Sequence, residues 1–224
     1  MVAAASGRWR PARLAACWGI GGLLATMATV SSAHPHNWID LRVSVVLNDR
    51  GEVTALEQRW LKDPLLSTLW LEDIVGDGAD ESREARLQEA ADELLANIAG
   101  HGYFTRVEHG ERSIEGHEAR EPRIETHERR LELQFVLDLP EPLDPGEAPV
   151  RYAVFDPTYY IEILHAESQS IRLEGGGMHC DVRIEEPSPD PEKVAYAASL
   201  EVHEDPDSDL GRHFAEWAEI VCER

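Results

Sequence analysis

The most constraining feature of this chain lies at its start. Arg8, Arg10 and Arg13 precede an apolar run from Leu14 to Val30, and Ser31-Ser32-Ala33 follow, with small residues at the two cleavage-recognition positions. This pattern predicts a secretory signal peptide over residues 1–33, cut after Ala33, and a mature chain over 34–224 that begins at His34. The run contains Gly19, Gly21, Gly22, Thr26 and Thr29, so it is short and weak for a retained membrane anchor. What folds is then 191 residues delivered to an oxidising compartment, the periplasm, enough for one domain with its own core.

Export also settles what the cysteines can do. Cys17 leaves with the signal, and Cys180 and Cys222 remain. In an oxidising compartment two cysteines most simply pair, which would tie the C-terminal end from Phe214 to Cys222 back onto the body. Their separation rules out a redox motif. The three signal arginines leave too, so the mature chain carries 18 basic side chains against 43 acidic ones, a net charge of −25. Such a surface repels nucleic acid and anionic lipid and attracts cations. No nucleophile elbow, phosphate loop or zinc-protease helix is present, so the expectation is a protein that is not an enzyme.

Along the mature chain, β-rich residues from Trp38 to Leu47, a turn at Asn48-Asp49-Arg50-Gly51 and a second run from Val53 to Leu61 predict a hairpin. Asp63-Pro64 opens a helix through Leu65, Leu66, Leu69, Trp70 and Ile74, ended by Gly76-Asp77-Gly78. A second helix, Glu81 to Ala99, groups Leu87, Leu94, Leu95 and Ile98 and stops at Gly100, so residues 62–100 are a helical insertion. Strands are expected at Tyr103–Glu108, Leu131–Leu139, Val150–Phe155, Thr158–Leu164 and from about Ile171 to Ile184. Strands flanking a helical pair predict an α+β fold, an antiparallel sheet or sandwich. The charged segment Glu108–Arg130, with His109, His117 and His127 spread through it, is expected to be an exposed hairpin or loop; Glu185–Glu192 and His203–Leu210 are expected to be surface loops.

The chemistry concentrates at the new terminus, His34-Pro35-His36. A terminal amine and the imidazoles of His34 and His36 offer three nitrogen donors near neutral pH, a set suited to nickel, cobalt, zinc or copper. Pro35 has no amide hydrogen, so a square-planar chelate through deprotonated backbone amides is closed; a brace of amine plus His34, completed by His36 or a more distant group, stays open, as does a solvated terminus. In Asp156-Pro157-Thr158-Tyr159-Tyr160-Ile161-Glu162-Ile163-Leu164-His165, a strand from Thr158 would put Tyr160 and Glu162 on one face and Ile161, Ile163 and His165 on the other, a core strand in which Glu162 and His165 do not pair. In Met178-His179-Cys180 a paired Cys180 has no thiolate to offer. The loop Asp73–Glu84 partly matches a calcium-binding loop, with Asp73, Asp77, Gly78 and Glu84 in place, but Val75 stands where a ligand oxygen is required, so tight calcium binding is not expected.

Ala33-His34-Pro35-His36, the hairpin from Trp38 to Trp60, the insertion ending at Tyr103-Phe104-Thr105 and Phe155-Asp156-Pro157-Thr158-Tyr159-Tyr160 together give a chain that resembles the domain of unknown function 1007 family. The resemblance spans most of the mature chain. It implies a periplasmic component of an ABC-type transport system, linked to nickel/cobalt-type metal transport, with an inner-membrane metal permease as partner. Members of that family often carry a fuller calcium-like loop, from which Val75 and Ala79 depart here. The functional expectation is a periplasmic transition-metal-binding accessory using His34 and His36, with a copper-brace chaperone or redox protein, and an interaction domain that binds no metal, as alternatives.

Overall fold

The computed structural model describes residues 35–76, 82–176, 179–200 and 209–223. The signal segment and His34, and residues 77–81 of the calcium-like loop together with the Val75 side chain, lie outside the described residues, as do Gly177, Met178 and residues 201–208.

The first hairpin forms as its pattern dictates. β1 (Asn37–Leu47) pairs antiparallel with β2 (Val53–Lys62), and β1 buries every second residue, Ile39, Leu41, Val43, Val45 and Leu47. The turn between them is built on the Asn48 side chain, whose Oδ1 accepts from the amides of Arg50 (2.9 Å) and Glu52 (3.0 Å), while Gly51 takes a φ of +78°. Asp63 caps α1 (Pro64–Val75) by accepting from the amides of Leu65 and Leu66, and Pro64 sits where a missing N–H costs nothing. Ser82 caps α2 (Arg83–Ala99), which buries Leu87, Ala91 and Leu95.

Two sheets follow. The first runs β5 (Glu118–His127), β6 (Arg130–Leu143), β2, β1, all antiparallel, and then β8 (Ile161–His165) with β9 (Ile171–Glu174) beside β1. The second runs β10 (Cys180–Glu185), β11 (Trp217–Cys222), β7 (Val150–Val154), β3 (Thr105–His109), β4 (Arg112–Ile114), antiparallel throughout. One apolar core joins both sheets and α2, from Leu41, Leu56 and Phe135 to Tyr152 and Ile220. A buried polar link crosses it: Trp60 Nε1 donates to Gln58 Oε1, and Gln58 Nε2 donates to Thr105 Oγ1, each at 2.9 Å.

The α+β class and the disulfide hold. Cys180 and Cys222 stand directly opposite each other on β10 and β11 and are bonded. Several expectations are corrected. β8 and β9 run parallel to β1, so the first sheet is mixed rather than antiparallel. Thr158 to Tyr160 form a turn rather than a strand, because the Asp156 carboxylate captures the amides of Thr158 and Ile161; the strand starts at Ile161. Tyr103 and Phe104 lie in a short 3-10 turn with φ of 56° each, ahead of β3. The charged segment after Glu108 supplies β4 and β5, with β5 completing the edge of the first sheet. The Glu185–Glu192 loop runs into a helix, α3 (Pro191–Ser199), which Asp190-Pro191 signals in the same way as Asp63-Pro64.

Candidate metal centre

His36 is the one residue of the terminal histidine pair among those described, and two contacts fix its place. Its amide donates to the Tyr160 carbonyl at 2.9 Å, and its ring lies 4.8 Å from the Tyr160 ring at an interplanar angle of 43°. The chain therefore enters β1 already pinned at the edge strand. His34 lies outside the described residues.

Tyr160 is itself set by a turn built on Asp156. The carboxylate is buried, and its Oδ1 accepts from the Thr158 amide (2.9 Å) and hydroxyl (2.8 Å), while Oδ2 accepts from the Ile161 amide (3.1 Å). This reverses the chain sharply enough to put Tyr159 at a φ of 57°. Tyr159 gains a stacked partner, Phe214, with centroids 4.0 Å apart, and its hydroxyl donates to Glu162 at 3.0 Å. Burial, with the Glu162 carboxylate beside it, raises the phenol far above its ordinary range, so it remains a donor. The 3-10 turn Leu210–Phe214 closes on this loop, the Gly211 amide donating to the Pro157 carbonyl at 3.0 Å. The turn thus sets the Tyr160 ring against the His36 imidazole.

His165 faces the opposite way, into the core, as alternation along β8 requires. It has no contact with Glu162 that could make them a ligand pair. Its Nδ1–H donates to Glu216 Oε2 at 2.8 Å, its amide donates to the same oxygen at 2.7 Å, and its Nε2 lies 3.1 Å from the Tyr152 hydroxyl. Burial alone would raise the Glu216 carboxyl, but the side-chain and backbone hydrogen bonds from His165 outweigh it and hold the group below the usual carboxylate range. Burial pushes the Tyr152 phenol well up, so it keeps its proton and can donate to His165 Nε2. This Tyr152–His165–Glu216 chain ties the first sheet to the second, and with both imidazole nitrogens engaged it is a structural latch rather than a ligand set. Neither Tyr152 nor Glu216 carries a sequence signal for it; the partners are distant in the chain and meet only through sheet packing.

Among the described residues one group of three possible metal donors gathers elsewhere, on β5 and β6. Glu125, His127 and Glu132 present ligand atoms within 4.8 Å of one another. His127 Nε2 is 3.5 Å from Glu125 and 3.4 Å from Glu132. However, Glu132 already accepts from Arg59 at 2.9 Å and Glu125 faces Arg123 at 3.4 Å, so guanidiniums balance both carboxylates. Of the other scattered histidines, His109 donates to the Asp144 carbonyl at 3.0 Å, and burial lowers the His117 pKa. Cys180 is spent in the disulfide.

A family model described as a protein of unknown function, DUF1007, matches residues 20–222. A curated protein of Haemophilus influenzae, described as uncharacterized, is 25% identical over 194 residues, covering 85% of this chain and 92% of its own length. No solved structure matches.

Proposed function

We infer that this chain, which belongs to the DUF1007 family, is a non-enzymatic accessory of a metal transport system that binds a divalent transition metal in the periplasm. Nickel, cobalt, zinc or copper would be held through His34 and His36 and passed to or from an inner-membrane permease. The observation that carries this reading is the anchoring of His36. A terminus bearing two imidazoles is usually frayed, but here the backbone of His36 is bonded to Tyr160, and Tyr160 is fixed in turn by the Asp156 loop. His36 is thereby held at one strand edge, which lowers the entropy that this donor would lose on chelation.

Two further features support it. The acidic surface raises the local concentration of cations. Beside the entry of β1, where the Asp63 amide donates to the Trp38 carbonyl at 3.0 Å, Trp38 is 50% exposed and α1 turns Leu65 and Leu69, 71% and 52% exposed, to solvent. Such an apolar patch on a highly charged chain suits a protein partner. Among the described residues no helix is long and apolar enough to cross a membrane.

Calorimetric titration of each of the four metals into protein recovered from the periplasm tests the reading. Tight binding should weaken in His34→Ala and in His36→Ala, and should fall as pH drops through the imidazole range, because protons compete for the same nitrogens. A one-residue extension before His34 separates the modes: sharp loss means the terminal amine is a ligand, as in a copper brace. Equal affinity in native, extended and both substituted forms overturns the assignment.

A further inference from the structure

β8 and β9 both run parallel to β1 but along different parts of it, Asn37–Leu41 and Val43–Val46. Between them the chain bulges away from the strand. It leaves as the Ala166 amide donates to the Leu41 carbonyl at 2.9 Å and returns as the Ser170 carbonyl accepts from the Val43 amide at 2.7 Å. The interruption falls at Arg42. There a cleft of about 50 Å³ opens on the outer face of the first sheet, lined by Arg42, Ser44, Arg59, Gln169, Ser170 and Arg172, and no carboxylate lines it.

The charges in this cleft are arranged against the ordinary rules of a sheet. Arg42 stands directly opposite Arg59 in the antiparallel pair, and Arg172 is the partner of Ser44, two residues along the same face. Like charges directly opposite destabilise a strand pair. Glu132 relieves Arg59, accepting from its Nε at 3.0 Å, and Gln169 accepts from Arg172 at 3.1 Å. Glu174 lies nearby but takes the Ser44 hydroxyl at 2.8 Å. Arg42 has no ion pair or side-chain hydrogen bond among the described residues. Of the three guanidiniums only Arg59 thus has a carboxylate partner among the described residues, and the charges of Arg42 and Arg172 are unbalanced. In a chain with 43 acidic and 21 basic side chains, a carboxylate partner for Arg42 is the easiest thing to supply, and the fold withholds it.

We propose that the Arg42–Arg59–Arg172 cleft binds a free tetrahedral oxyanion of the phosphate or sulfate class. Guanidiniums match such an ion with paired donors, and the hydroxyl of the buried Ser170 adds a neutral one. The volume selects for size: about 50 Å³ accommodates a few waters or one small ion, and excludes a nucleotide or a sugar. The large net negative charge of the chain opposes a broad polyanion or an anionic bilayer more than a single small ion. The bound ion would neutralise the Arg42–Arg59 repulsion and close the gap between β8 and β9. This site is independent of the metal reading.

The test is thermal unfolding of the purified protein in sodium phosphate or sulfate against sodium chloride of equal ionic strength, with phosphate titration by calorimetry. Phosphate and sulfate should raise Tm beyond chloride. Arg42→Gln and Arg172→Gln should each weaken phosphate binding about tenfold, the worth of one charge-assisted contact. In chloride alone Arg42→Gln should be as stable as the native protein or more so, since it relieves a like-charge pair; that result also shows the variant folds. Equal effects of phosphate and chloride, or an unchanged response in both variants, overturns the proposal. Binding to phosphatidylglycerol vesicles with none to inorganic phosphate overturns it as well, since the ion would then be a headgroup.

Discussion

Single residues at this fold's tight points have outsized consequences. Gly211 is the tightest: a Cβ there would lie 1.9 Å from the Asp156 carbonyl oxygen, backbone that also forms the turn presenting Tyr160. Gly211→Ala should lower Tm by several degrees and weaken metal binding in parallel, whereas Gly100→Ala, with nothing within 4 Å, should do neither. Lys62 gives a pH signature. It is buried with its ammonium 4.0 Å over the Trp70 ring, and burial pushes its pKa down to about 8, Asp63 only partly compensating. The unfolded chain binds this proton up to its ordinary pKa of 10.5, so stability should rise with pH between about 8 and 10.5, and Lys62→Met should abolish that rise. Glu216 works in the opposite range. Its carboxyl is depressed in the folded state, so its contribution is present above the ordinary carboxylate pKa and is lost as pH falls through the folded value; in Glu216→Gln this acid-side loss should disappear from a stability-versus-pH curve.

Among the elements, α1 is attached to the first sheet by a polar rivet as well as by apolar packing. Ser67, fully buried, donates through its hydroxyl to the Lys62 carbonyl at 3.3 Å and accepts from the Leu131 amide at 3.0 Å, so it joins the helix to the ends of β2 and β6. Ser67→Ala would leave the Leu131 amide buried without its partner and should cost about 1–3 kcal/mol in denaturant unfolding. Ser67→Cys, whose sulfur keeps a weak acceptor for that amide, should cost less. α1 itself is legible in the sequence, since Asp-Pro cap chemistry is local. Pro191 takes the same first-turn place in α3, although Asp190 forms no side-chain cap there and the acidic, proline-rich stretch before it reads as loop. The turn at Asp156 goes the other way: Asp-Pro opens no helix there, because its carboxylate folds back on the Thr158 and Ile161 amides.

Over the whole molecule, the disulfide and the charge act in opposition. The bond between Cys180 and Cys222 spans 42 residues and in the chain-entropy model stabilises by about 4 kcal/mol. The large negative charge destabilises the compact state by self-repulsion, which salt screens. Reduction should therefore lower the denaturation midpoint most at low ionic strength, and Cys180→Ser with Cys222→Ser should reproduce the reduced protein. An oxidised and a reduced protein with the same midpoint at every salt concentration would contradict this.

Features that depend on neighbours in the chain are legible in its order of residues: the Asn48 turn, the Asp63 and Ser82 caps, the alternation that buries β1, and the availability of two cysteines to pair. That order also marked His36 as a donor. Which distant residues meet is set by the packing of whole strands. The parallel placement of β8 and β9, the Glu216 partner of His165, the Tyr160 anchor of His36 and the Arg42–Arg59 opposition all depend on strand order and register. Pairing across a sheet is set by the summed burial of whole strands, and a shift of one residue would send each of these side chains to the other face, so no local pattern can fix them.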